Sequence, residues 1–129
     1  MSAPRHCDIS FEPLSPTDPY VVAVLRWADV DAEMTFGWRI FVRGEPFGLC
    51  WVEMYGPYGL IHGLITVRGR HVLMASIAAF RLCESAVKSI GLTPAVVYPT
   101  EYLHVKRLCD IVGYKSQVLD SETSVATAR

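Results

Sequence analysis

A short basic turn in the middle of the chain joins an apolar, strand-like segment to an apolar-periodic, helix-like one. The turn contains Arg68 and Arg70, His71 follows it, and the helical pattern begins at once. The first N–H groups of a helix have no partner within the helix, and the helix dipole adds partial positive charge at that end. Residues 68–75 are therefore predicted to form an anion site of the kind that binds phosphate.

Leu73 stands where phosphate-binding turns usually have glycine. Glycine matters there because a side chain blocks the approach of a phosphate to the backbone. Leu73 either narrows the anion site or points aside into the core, and the sequence leaves both alternatives open. A solvated basic loop is the structural alternative for the same turn.

The composition favours one folded domain. The chain has 129 residues, of which 51% are hydrophobic and 19% charged, and its net charge is -1. These values are typical of a globular protein of one domain. The net charge gives no general case for nucleic-acid binding, which needs clustered Lys and Arg. A nucleic-acid module would require the basic turn to converge with Lys106 and Arg107 on one face.

The four cysteines are scattered, and none belongs to a C-x-x-C pair. Zinc sites usually draw ligands from closely spaced pairs, so we expect no metal and free thiols in a reducing cytosol. The first residues lack the apolar core of a signal peptide, and no apolar run approaches the roughly 20 residues that span a bilayer. We therefore expect a cytoplasmic protein without a membrane segment.

Hydrophobic periodicity and turn residues predict the order β-α-β-β-β-α-β-α-β, a mixed α/β (α+β) sheet with helices on both faces. The predicted strands are 38–43, 47–54, 60–67, 94–99 and 114–120, together with a first strand in residues 7–15 that ends at Pro13. The predicted helices are 19–31, a helix of roughly 17 residues that starts at Leu73 and is capped by Gly91, and 101–114. Residues 1–120 are predicted to form the domain, and the small, polar residues 121–129 a loose tail.

This order and its central turn resemble the GNAT superfamily of acyl-CoA-dependent N-acyltransferases over about residues 7–120. The pair Gly113-Tyr114 matches the closing Gly-Phe or Gly-Tyr of the family's last helix. The family's signature is Arg or Gln, two residues, Gly, one residue, then Gly or Ala. Arg70 and Ala75 match its first and last positions, and Leu73 departs from it.

The resemblance implies acyl transfer from acetyl-CoA or a related thioester to an amine that the sequence does not identify. It implies that Ile65, Thr66 and Val67 lie along the pantetheine arm of the cofactor. Arg68, Arg70, His71, Val72, Leu73, Met74 and Ala75 would then surround the pyrophosphate.

Members of the family often use a Glu on or near the third meander strand as the base, and that strand here has none. His62 is the titratable group on it, and a neutral imidazole has a suitable pKa. A packed, hydrogen-bonded His62 is the structural alternative, and Glu53 is the next candidate base. Cys109 occupies the position of the family's acid, a Tyr, although a buried core thiol is the alternative. Tyr114 and Tyr102 could replace it.

A further resemblance is to small GNAT-like phage proteins, including internal virion proteins of podophages. The run from His104 to Leu108 is similar to a segment of their last helix. Several of those relatives have eroded cofactor signatures, so the alternative function is a non-catalytic virion component or host-factor binder, located in the host cytoplasm or the virion. That alternative predicts a filled cofactor cleft, an apolar patch for a protein partner, and a homo-oligomer or virion assembly.

Overall fold

The computed structural model describes residues 8–15, 17–27, 35–65 and 72–128. Within these residues lie seven strands and three helices. The strands are β1 (Ile9–Pro13), β2 (Thr35–Val42), β3 (Glu45–Tyr55), β4 (Tyr58–Ile65), β5 (Thr93–Pro99), β6 (Tyr114–Val118) and β7 (Thr123–Ala128). The helices are α1 (Pro19–Trp27), α2 (Val72–Ser89) and α3 (Leu103–Ile111).

The strands form one sheet in the order β1-β2-β3-β4-β5-β7-β6. All pairs are antiparallel except β4 and β5, which run parallel. A parallel pair needs a crossover connection. Here α2 supplies it, because the chain runs from β4 through α2 to β5.

Helices lie on both faces of the sheet. The buried side of α2 packs with Ile40 and Val52 in the main core. Side chains alternate along a strand, so Arg39 points to the opposite face from Ile40. Its guanidinium lies 3.6 Å from the carboxylate of Asp18, which directly precedes α1. The start of α1 is therefore on the face away from α2, and the predicted mixed α/β fold class is confirmed.

The hairpin between β2 and β3 differs from its prediction by a small shift. We predicted a loop at residues 44–46 with Arg43 in the strand. The structure instead places Arg43 and Gly44 in the loop, with φ values of 51° and 81°. Two successive positive φ values are typical of a type I′ turn, whose twist matches that of the flanking strands.

The last strand was missed in the sequence. Residues 121–129 were predicted to be a loose tail, whereas Thr123–Ala128 forms β7 and lies between β5 and β6. Ser124 and Ala126 are buried on its inner face. These side chains are small and weakly hydrophobic, so their two-residue alternation gives little signal in the sequence. The strand is specified by its two neighbours, not by its own hydrophobicity.

The end of α2 matches its prediction. Gly91 has a φ of 81°, and the N–H groups of Gly91 and Leu92 donate to the carbonyls of Lys88 and Val87. This pattern is a left-handed C-terminal cap that only glycine adopts without strain. The cap turns the chain directly into β5.

Candidate functional site

A gap opens at the centre of the sheet, between the two parallel strands. The pairing of β4 with β5 covers only Tyr58 to Leu60, opposite Thr93 to Ala95. Among the described residues the two strands do not pair beyond Leu60, although β4 continues to Ile65 and β5 to Pro99. Backbone N–H and C=O groups on the facing edges are thus available to a ligand that runs between the strands.

The first turn of α2 follows the end of β4 at the open end of the gap. Ile65 ends β4, and predicted site residues Thr66 to His71 lie outside the described residues. Leu73 and Met74 are 46% and 41% exposed, whereas Ala75 is completely buried. Leu73 therefore does not point into the core, which removes one of the two alternatives for its position.

His62 lies at the edge of the gap. It follows Leu60 by two residues, so both side chains are on the face of the sheet away from α2. The imidazole stacks on the indole of Trp51, its partner across the hairpin, with ring centroids 5.4 Å apart and planes 17° apart. Nε2 of His62 lies 3.8 Å from Oε1 of Glu53.

Burial lowers the pKa of His62 below its ordinary value, although the carboxylate of Glu53 acts in the opposite direction. Desolvation disfavours the charged imidazolium, and the net effect leaves the ring neutral at pH 7. A neutral imidazole is the form that accepts a proton.

Two polar atoms in this cluster are buried without a hydrogen-bond partner, Nε1 of Trp51 and Nε2 of His62. Buried polar atoms in native proteins are nearly always hydrogen-bonded, so an unpartnered pair on neighbouring strands needs a reason. Both rings belong to the stacked pair beside Glu53. Among the described residues, these two nitrogen atoms are the buried side-chain polar atoms that have no hydrogen-bond partner.

The other two predicted catalytic residues lie elsewhere. Cys109 is 1% exposed and belongs to the main core, and burial raises its pKa to about 11. Tyr114 is equally buried and packs edge-to-face on Phe80 of α2. Both are therefore on the face of the sheet that α2 covers, and the structure does not bring either one together with His62.

The hydroxyl of Tyr114 has a structural partner. It donates a 2.6 Å hydrogen bond to Oε2 of Glu84, whose Oε1 accepts one from Arg81. Arg81 in turn donates to the carbonyl of Val112, so this network joins α2 to the end of α3. Burial and the bond to Glu84 raise the pKa of Tyr114 well above its usual value. Burial would raise the pKa of Glu84, but its hydrogen bonds from Tyr114 and Arg81 outweigh that effect and lower it.

Tyr102, unlike Tyr114, lies near the open end of the gap. It is the N-cap of α3 and follows the carboxyl end of β5, while α2 follows the carboxyl end of the parallel strand β4. Carboxyl ends of parallel strands meet at one edge of a sheet, so Tyr102 and the start of α2 share the open end of the gap. Its ring is 45% exposed and stacks on His104.

Of the remaining cysteines, Cys50 and Cys83 lie in the core, and Cys7 is outside the described residues. Cys50 and Cys83 are buried, and the hydrogen bond with Cys50, followed by burial, raises the pKa of Cys83 far above its usual value. No group of three or more His, Cys, Asp or Glu within the described residues could hold a metal ion. No helix in that part of the chain is long and apolar enough to cross a membrane.

Comparison with known proteins extends this description. No protein-family model and no curated protein sequence matches the chain. Solved structures do match it. A proposed acyl-CoA N-acyltransferase from Klebsiella pneumoniae superimposes with a TM-score of 0.73 at 12% identity, covering 93% of this chain and 96% of that one. The fold is that of the GNAT N-acetyltransferases.

Two other GNAT structures carry informative descriptions. The Campylobacter jejuni N-acetyltransferase PseH in complex with acetyl coenzyme A has a TM-score of 0.63 at 9% identity, covering 92% of this chain and 96% of PseH. A variant of the spermidine N-acetyltransferase SpeG from Vibrio cholerae has a TM-score of 0.69 at 8% identity, covering 94% of this chain and 93% of SpeG. Identities this low establish the GNAT fold alone.

Proposed function

We propose that this protein is an N-acyltransferase that transfers an acyl group from acetyl-CoA or a related thioester to an amine. The observation that carries the proposal is the gap between β4 and β5, which has the start of α2 at its open end and His62 at its edge. This arrangement supports thioester binding along the gap and proton transfer at His62. The described residues offer no comparable observation in support of nucleic-acid binding or of a metal site.

The cofactor residues that we propose are those that the resemblance implies. The free backbone edge of β4 up to Ile65 and the turn residues 66 and 67 would pair with the amides of the pantetheine arm. Arg68, Arg70 and His71, with the N–H groups of the first turn of α2, would hold the pyrophosphate. The buried Ala75 fits this role, because a larger side chain there would push the start of α2 away from the sheet. The exposed Leu73 does not enter the core, so in this proposal its side chain borders the anion site and narrows it.

Bound acyl-CoA would supply a thioester carbonyl. The amine nitrogen would form a bond to its carbon as the carbon–sulfur bond breaks, and the sulfur would leave as a thiolate. His62 takes the proton that the amine loses. The carboxylate of Glu53 faces Nε2 and favours the tautomer that carries its proton there, which leaves Nδ1 to accept. The same carboxylate then stabilises the imidazolium that forms.

The leaving thiolate needs a proton, and Tyr102 is the residue we assign to supply it. Its exposed hydroxyl-bearing ring lies at the edge of the sheet where the gap opens. Cys109 and Tyr114, which the sequence suggested, are held in the core and in the Glu84 network. Their contacts favour a structural role.

The alternative is a non-catalytic GNAT-like protein of phage type, a virion component or host-factor binder. It predicts a filled cleft, and the early end of the β4–β5 pairing at Leu60 counts against it. No structural neighbour reported above is a phage protein by its description. We therefore favour the enzyme.

Calorimetric titration of the whole chain with acetyl-CoA tests the proposal. We expect binding, and about a tenfold loss of affinity in Arg70→Ala, since one charge-assisted phosphate contact is worth roughly 1.4 kcal/mol. Arg26→Ala, which removes an exposed arginine of α1, is the matched control and should bind normally. Absence of heat and of thermal stabilisation at millimolar cofactor would contradict the proposal.

A further inference from the structure

A row of side chains crosses the sheet on the face away from α2. Strand register places Lys115 opposite Thr127, Thr127 opposite Ala95, Ala95 opposite Leu60, and Leu60 opposite Glu53. Directly opposed residues point to the same face, so the row is continuous from β6 to β3. The row begins at the cation of Lys115 on β6 and ends at the carboxylate of Glu53 on β3.

The middle of this row is the floor of an open depression of about 950 Å³. Leu60, Ala95, Val97 and Val125 supply its apolar floor, and Tyr55 and Tyr58 stand at its β3–β4 end. Of the described residues that line it, Lys115 alone is charged. Gln117 follows Lys115 by two residues on the same strand face and adds an amide beside it.

The depression adjoins the site described above, although neither His62 nor Glu53 is among its lining residues. Leu60 lines it, and His62 lies two residues farther along β4 on the same face. Residues spaced by two along a strand are roughly 7 Å apart. A molecule resting on Leu60 can therefore place one end at His62 and Glu53.

We propose that the acceptor is an elongated apolar primary amine that carries a carboxylate at its far end. The amine lies at His62 and Glu53, the apolar chain covers Leu60, Val97 and Val125, and the carboxylate binds Lys115. Strands are roughly 4.8 Å apart, so four steps separate β6 from β3 by roughly 19 Å. The Lys and Glu side chains reach inward, which leaves on the order of 10 Å between the two charged ends of the ligand. This inference rests on the proposed function for the transfer step but concerns binding that can be measured without it.

Other amines fit the depression less well. A polyamine needs several carboxylates along its length, and none lines this depression among the described residues. A short amino acid cannot reach from Glu53 to Lys115. An alkylamine without a carboxylate would cover the apolar floor but leave the cation at Lys115 unused.

Calorimetry with four probes, in the absence of CoA, tests the acceptor class on the intact chain. The probes are ω-aminooctanoate, octylamine, γ-aminobutyrate and spermidine. We expect ω-aminooctanoate to bind about tenfold more tightly than octylamine, the value of one charge-assisted contact, and the other two to bind more weakly still. Lys115→Met should remove the advantage over octylamine. Lys106→Met, which removes a cation paired with Asp110 on α3, is the control and should preserve it.

Equal affinity for octylamine and ω-aminooctanoate, or an unchanged preference in Lys115→Met, would overturn the inference. So would tighter binding of spermidine. The transfer assay separates this failure from that of the proposed function. If acetyl-CoA binds and another amine is acetylated, the acceptor class is wrong and the enzyme stands. If the preference for ω-aminooctanoate is found but acetyl-CoA does not bind, the acyltransferase is wrong and the amine site stands.

Discussion

Oε1 of Glu53 lies 3.8 Å from Nε2 of His62, across the hairpin that joins β3 and β4. This separation is too long for a hydrogen bond and short enough for a strong electrostatic effect. Burial therefore still lowers the pKa of His62 overall, although Glu53 offsets part of this effect by favouring the imidazolium. Under the proposed function, Glu53 would make His62 a stronger base while the resting ring stays neutral.

Glu53→Gln should shift the pH dependence of acyl transfer to lower pH. Burial lowers the pKa of His62 and Glu53 raises it, so removal of the carboxylate lowers that pKa further. The acid limb of the kcat/KM profile, where the base becomes protonated, should move to lower pH. The maximal rate should also fall because the imidazolium loses its counter-charge. Glu45→Gln, an exposed change at the start of β3, should leave the profile in place, and an unmoved limb in Glu53→Gln would exclude His62 as the base.

Tyr114→Phe should reduce stability and preserve catalysis. The hydroxyl donates to the ionised Glu84, and a hydrogen bond to a charged group contributes roughly 1.5 to 3 kcal/mol to the free energy of unfolding. Glu84→Gln should cost a similar amount, and the double variant should cost less than the sum of the two. Urea unfolding of the four proteins measures the coupling. Additive losses would mean that the bond between Tyr114 and Glu84 contributes nothing.

The same network gives stability a pH dependence. The folded-state pKa of Glu84 is lowered, so its contribution is present above the unfolded value of about 4.3 and is lost as pH falls through the folded value. Tyr114→Phe should reduce this loss below pH 4. Denaturation profiles between pH 7 and pH 3 test it, and identical profiles for both proteins would contradict the assignment.

Tyr102→Phe should lower kcat, whereas Cys109→Ala should lower stability. Tyr102→Phe should lower kcat, because the leaving thiolate loses its proton donor, with little change in unfolding free energy at an exposed position. Cys109→Ala should leave kcat unchanged and reduce stability by about 1 kcal/mol, the cost of removing a small buried group from a packed core. Steady-state kinetics combined with thermal unfolding of both variants checks the pair. A kcat loss confined to Cys109→Ala would restore the assignment suggested by the sequence.

Gly37→Ala should destabilise the fold far more than Gly63→Ala. A Cβ at Gly37 would collide with the carbonyl oxygen of Cys50 and lie 2.6 Å from Cα of Trp51, both backbone atoms that cannot rotate away. A Cβ at Gly63 would meet only the carbonyl of Leu49 at 3.7 Å, an ordinary contact. Overpacking typically costs about 1 to 3 kcal/mol, which denaturant unfolding resolves. Comparable midpoints for the two variants would show that β2 and β3 approach less closely.

The sequence predicted the order and type of most elements because their hydrophobic periods are clear. It did not predict which residues meet across β3 and β4. The turn signal around Gly56 and Pro57 suggested a longer loop, whereas the structure pairs Tyr55 with Tyr58 on either side of these two residues. A loop of two residues fixes the register of a hairpin, and with it the contact of Trp51 with His62. An error of one residue would have placed them on opposite faces.

The catalytic candidates show a different limit. His62 could be found because an imidazole is a chemically distinctive group on an otherwise apolar strand. Cys109 was chosen because it precedes Gly113, and Tyr114 because it follows Gly113. Position in the sequence alone does not reveal which of these side chains is buried. The depression beside Leu60 could not be predicted at all, because it depends on β7, whose side chains are small and carry little hydrophobic signal.

The insertion of β7 between β5 and β6 also constrains how the protein can fold. The only described strand that pairs with β6 is β7, and β5 has one edge that β7 alone covers. The strand β6 therefore cannot join the sheet before residues 123–128 do, and chains truncated ahead of them would expose unpaired strand edges that favour self-association.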